Sequence, residues 1–84
     1  MQAVILKNKG VMEVAEVETP TPAAGNVLLR VHASSICGSD IHRYVRGHRE
    51  YPMILGHESA GVIAQVGAGV SADKLGKHAA IIPL

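Results

Sequence analysis

Short runs of branched aliphatic residues, each broken by glycine, proline or asparagine, shape the first part of this chain. Residues 3–6 are apolar, Asn8-Lys9-Gly10 follows, and residues 11–17 are again strand-like. Asparagine and glycine tolerate the positive φ of a tight turn, so the pattern predicts an opening β-hairpin. Pro20 and Pro22 then fall in a stretch ending at Gly25-Asn26. Proline cannot donate to a ladder, so this stretch is expected to be a surface loop within one domain. From Val27 the alternation is regular, with Val27, Leu29, Val31 and Ala33 on one face and Leu28, Arg30, His32 and Ser34 on the other. A strand is predicted there. Period two returns at Val62, Ala64 and Val66 against Ile63 and Gln65, Gly67-Ala68-Gly69 punctuates, and residues 79–82 form a last apolar run. A strand whose ladder groups and aliphatic side chains lack a partner tends to find one, so self-association through residues 79–82 is expected.

Between Ser34 and Glu58 the period disappears, and small, polar and ionisable residues accumulate: Ser35, Cys37, Gly38, Ser39, Asp40, His42, His48 and His57 lie in this interval. Chemistry is expected here. Cys37, His57 and Glu58 offer a thiolate, an imidazole and a carboxylate, three donor types that zinc accepts, and a catalytic zinc site typically keeps three protein ligands with a fourth position open. His57 and Glu58 are chain neighbours, which on a regular strand face opposite ways. They can share a metal only if the backbone bends, and Gly56 makes that bend possible. Ser39 and Asp40 are also suited to cap a short helix, because both side chains accept from free amide donors. His32, His48 and His78 read as ordinary surface residues, and Lys9, Arg43, Arg46 and Arg49 as a solvated charged surface rather than a grip on a substrate phosphate.

Composition narrows the class. The chain has 84 residues and no Phe or Trp, so its core rests on aliphatic residues that favour pleated strands and a mainly β fold. A single domain of this size buries only about 60% of its unfolded surface, which leaves stability marginal. A net charge of +1 with both signs interspersed offers no surface for nucleic acid. One cysteine excludes an intramolecular disulfide, and the N-terminus lacks the pattern of a signal peptide, so a cytoplasmic setting is expected. No apolar run approaches the roughly 20 residues that cross a bilayer, so no membrane partner is expected.

Cys37-Gly38-Ser39-Asp40-Ile41-His42, the later run from Tyr51-Pro52 through Gly56-His57-Glu58 to Gly61-Val62, and Val66-Gly67-Ala68-Gly69-Val70 together resemble the zinc-containing medium-chain alcohol and polyol dehydrogenases. The likeness covers essentially the whole chain and leans toward sorbitol, threonine and sugar-phosphate dehydrogenases. It implies a GroES-like partial β-barrel with one short helix, residues 1–84 being an incomplete N-terminal catalytic domain that stops before the Rossmann domain. It also implies that Cys37, His57 and Glu58 hold zinc, which polarises the oxygen of a small-molecule alcohol or polyol substrate. Ser39 would pass the alcohol proton to His42, and Asp40 would accept from a ring nitrogen of the ligand histidine and fix its tautomer.

NAD or NADP would bind only through a domain absent here, because Gly67-Ala68-Gly69 lacks the further glycine and the βαβ unit of a dinucleotide site. The chain alone is therefore expected not to transfer hydride. Two further departures from the family pattern stand out: there is no four-cysteine lobe for a structural zinc, and Lys77 occupies a position where an acid is usual. The alternative is a stand-alone GroES-like module that binds zinc or oligomerises without catalysis.

Overall fold

Residues 1–83 are described by the computed structural model, in the order β1 (Gln2–Asn8), β2 (Val11–Glu16), β3 (Val27–Ser35), α1 (Gly38–Arg46), β4 (Met53–Ile54), β5 (Glu58–Val66), a 3₁₀ turn (Ala72–Lys74) and β6 (His78–Ala80). The chain forms two compact units, one of Met1–Thr19 and Ile36–Gly56, the other of Pro20–Ser35 and the described residues from His57 onward. Both are built on strands, and α1 is the α-helix among the described residues, so the mainly β expectation is met.

In the first unit β1 and β2 pair antiparallel from Gln2 opposite Glu16 to Leu6 opposite Met12, with a register shift before Asn8 meets Val11. Gly10 turns the hairpin at φ 68°, as the sequence predicts, and the Lys9 amide donates to Asn8 Oδ1 at 2.8 Å. β4 pairs with the other edge of β1, placing Ile5 opposite Ile54 and Leu6 opposite Met53. The sheet order is β2-β1-β4, so β1 is central. Leu6 on that strand is fully buried, whereas Val14 on β2 is 66% exposed. The Gly10 amide donates to the Tyr44 carbonyl at 2.9 Å and ties the hairpin turn to α1.

The capping expected of Asp40 is met, though from inside the first turn and not from the N-cap position. The N-cap is Cys37, extended at φ −90° and ψ 156°, and Ser39 and Asp40 fall inside the first turn. Asp40 Oδ2 accepts from the Cys37 amide at 3.0 Å, because a carboxylate three residues into a helix reaches back to the cap. The helix stops at Gly47, whose φ of 91° a side chain would oppose and whose amide donates to the Arg43 carbonyl at 3.0 Å. Arg43 and Arg46 in the last turn complement the negative end of the helix dipole.

In the second unit β3 and β5 pair antiparallel from Val27 opposite Val66 to Ser35 opposite Glu58. Two register shifts, between Leu28 and Leu29 and between Val31 and Ala33, interrupt this ladder. Each irregularity breaks the two-residue period, so the single alternating apolar face read from residues 27–34 is not realised. Leu28 and Leu29 are both half-buried while Val31 is 53% exposed. β6 pairs with the other side of β5, Ala79 lying opposite Gly61, and is shorter than the apolar run 79–82 suggested. The buried aliphatic centre is Ile63 on β5, at 8% exposure. A Cβ on Gly61 would overlap the Arg30 carbonyl oxygen of β3, so this close strand approach demands glycine. Lys77 joins through its backbone, its carbonyl accepting from the Ile63 amide at 2.9 Å, while its ammonium meets Asp73 at 3.9 Å. The main-chain role explains why the turn accommodates a lysine.

Candidate active site

Cys37 stands where the chain turns from extended backbone into α1. Its amide is held by Asp40, and its carbonyl accepts from the Asp40 amide at 3.0 Å and the Ile41 amide at 3.4 Å. Asp40 is only 7% exposed, and its Oδ1 lies 3.8 Å from a guanidinium nitrogen of Arg43. A buried carboxylate needs such donors, so Asp40 fixes the backbone that carries Cys37. Cys37 itself is partly buried. Ser39 and His42 are three residues apart on α1 and share one helix face. The structure brings both to the wall of a single cavity of about 690 Å³ in the first unit, which Lys9, Arg43, Arg46, Arg49 and Tyr51 also line.

His57 and Glu58 belong to the second unit. Gly56, just before them, has φ 114°, the bend that glycine permits and that the sequence anticipates. A ring nitrogen of His57 and a carboxylate oxygen of Glu58 lie within 4.8 Å of each other, although the two residues are adjacent in the chain. Glu58 opens β5 opposite Ser35, and the Ser35 hydroxyl donates to Glu58 Oε2 at 2.9 Å. One pair further along, the Ser59 hydroxyl donates to Ser34 Oγ at 3.1 Å. The sequence places Ser35 among the polar residues of this interval but does not pair it with Glu58. Its role depends on which residue it faces across the ladder, and only the loss of alternation around it hinted at anything.

Residues 23–84 match the model of the alcohol dehydrogenase GroES-like domain, well over half of the chain. The chain belongs to that family. Among relatives, the starvation-sensing protein RspB of Escherichia coli is 40% identical over 87 residues, which span all of this chain and 25% of RspB. Sorbitol dehydrogenase of Gallus gallus is 40% identical over 86 residues, covering 96% of this chain and 24% of that enzyme. Among solved structures, an alcohol dehydrogenase of Escherichia coli complexed with NADH superposes with a TM-score of 0.89 at 42% identity, over 95% of this chain and 23% of that one. Galactitol-1-phosphate dehydrogenase of Escherichia coli gives 0.86 at 35% identity, over 95% of this chain and 24% of that one.

The resemblance read from the sequence motifs is thereby borne out, as is the partial GroES-like β fold. This family member spans about a quarter of the length of the curated relatives it matches. Among its described residues no helix is long and apolar enough to cross a membrane.

Proposed function

We propose that this chain is the metal-binding and proton-handling part of an NAD- or NADP-dependent dehydrogenase that oxidises a secondary alcohol or polyol. The observation that carries the reading is the paired donors of His57 and Glu58, within 4.8 Å of each other, on a chain that also supplies the thiol of Cys37. Cys37, the third donor, follows two residues after Ser35, which faces Glu58 across the ladder. Thiolate, imidazole and carboxylate form a donor set that fits zinc. When bound, zinc would supply Lewis-acid polarisation of the substrate hydroxyl. The chain's own residues do the rest: Ser35 orients Glu58 through the 2.9 Å hydrogen bond, Ser39 takes the alcohol proton, His42 carries it outward, and Asp40 supports His57 in one tautomer. The relatives named sorbitol dehydrogenase and galactitol-1-phosphate dehydrogenase support a polyol-like substrate, and the NADH complex supports a nicotinamide acceptor. Zinc analysis after dialysis tests the reading: about one ion per chain is expected, and none would sink it.

Zinc and a proton relay do not by themselves deliver hydride. Holding donor and acceptor carbons together supplies about 7–11 kcal/mol of barrier reduction, and that positioning requires a dinucleotide site. The 84-residue chain incubated with zinc, polyols or secondary alcohols, and either nicotinamide cofactor is expected to give no reduced cofactor by absorbance. Turnover above a Cys37→Ser control would overturn this.

A second reading, a module that associates without catalysis, is favoured by the aliphatic residues beside the β6 edge: Ile81 is 47% and Ile82 81% exposed. Sedimentation over a concentration series is expected to show a rising mean mass. A monomer at every concentration counts against it.

A further inference from the structure

Half of the chain's eight Lys and Arg residues line a cavity that Ser39 and His42 also line: Lys9, Arg43, Arg46 and Arg49. Local structure produces this gathering. Ser39, His42, Arg43 and Arg46 are spaced three and four apart on α1, so they share a face. The bond from the Gly10 amide to the Tyr44 carbonyl brings the hairpin turn, and with it Lys9, to the last turn of the helix. Beyond the helix the chain reverses at Gly47, and the His48 amide donates to the Tyr51 hydroxyl at 2.7 Å, which fixes the segment carrying Arg49. A Cβ on Gly47 would come within 3.0 Å of that hydroxyl.

No carboxylate lines the cavity. Arg43 is drawn to Asp40 at 3.8 Å, but among the described residues Lys9, Arg46 and Arg49 have no ion-pair partner. Two guanidinium forks and an ammonium unneutralised around a cavity of about 690 Å³ are chemistry for an oxyanion, above all a phosphoryl group, which guanidinium binds in bidentate fashion.

We infer that this cavity binds a phosphoryl group, and that the alcohol handled at Ser39 and His42 is a phosphorylated polyol. The substrate half of this inference rests on the dehydrogenase reading above, while the phosphate half stands on the cavity alone. Ser39 lines the same cavity as Lys9, Arg46 and Arg49, and the volume suits a ligand the size of a polyol phosphate. The other source of the same chemistry is a phosphate of the nicotinamide dinucleotide.

Amide NMR titrations of the full chain with four probes separate these cases: inorganic phosphate, glucitol 6-phosphate, glucitol and AMP. Phosphate and glucitol 6-phosphate are expected to shift the amides of Lys9 and of residues 43–49, glucitol to leave them in place, and glucitol 6-phosphate to bind more tightly than AMP. Combined Arg46→Gln and Arg49→Gln, both at exposed positions, is expected to weaken glucitol 6-phosphate at least about tenfold and leave zinc content unchanged. Tighter binding of AMP would overturn the substrate assignment. No shift with any phosphate, or equal shifts with glucitol, would overturn the site. Loss of zinc binding with the phosphate response intact would instead count against the metal reading.

Discussion

Replacing Cys37 by serine is expected to lower the zinc content of the chain from about one ion to background, the largest effect of any single substitution at the site. A thiolate contributes a full negative charge and a soft donor, and a serine hydroxyl contributes neither. The substitution also separates metal loss from unfolding. Cys37 supports α1 through its backbone, the amide donating to Asp40 Oδ2 at 3.0 Å and the carbonyl accepting from Asp40 and Ile41. Serine keeps those groups and is itself a preferred N-cap, so helicity by circular dichroism should be unchanged or slightly raised. His57→Ala and Glu58→Gln are expected to reduce zinc retention as well, with Ser35→Ala weaker in effect because it removes only the hydroxyl that orients Glu58. Unchanged zinc content in all three ligand variants would remove the assignment.

Leu6→Ala is expected to cost about 2–5 kcal/mol, the range for a buried leucine truncated in a packed core. Leu6 is fully buried on the central strand of its sheet, between Met12 and Met53. A chain of this size has little reserve, and each kcal/mol corresponds to roughly 4–8 °C in Tm, so the variant should melt at least about 8 °C lower or fail to fold. Val14→Ala is the matched control: with Val14 66% exposed, a change within about 0.5 kcal/mol is expected by thermal denaturation. Equal effects from the two substitutions would show that Leu6 is not the centre of this unit.

Local chemistry was legible wherever it depended on a few neighbouring residues. Asn8-Lys9-Gly10 specified the hairpin turn because only certain residues accept its torsions, and Gly10 has φ 68°. Gly56 announced the bend ahead of His57 for the same reason, and the motif around Cys37 led to the family. The helix begins directly after Cys37, so Ser39 and Asp40 lie inside it. A sequence shows that Ser39 and Asp40 can cap, but not that Asp40 reaches back to Cys37 from inside the first turn.

By itself, then, the sequence determined the mainly β class, the hairpin and the family, because torsional limits and motif chemistry belong to individual residues. Only the tertiary structure decided the rest. The irregular β3–β5 ladder cancelled the alternation around Val31, since strand register depends on both partners. Pairing across that ladder set Ser35 against Glu58. A hydrogen bond from Gly10 to Tyr44 brought Lys9 to the helix end, so cations that read as scattered surface in the chain line one cavity. Each of these depends on residues far apart in sequence meeting in space, and no local pattern encodes which ones will meet.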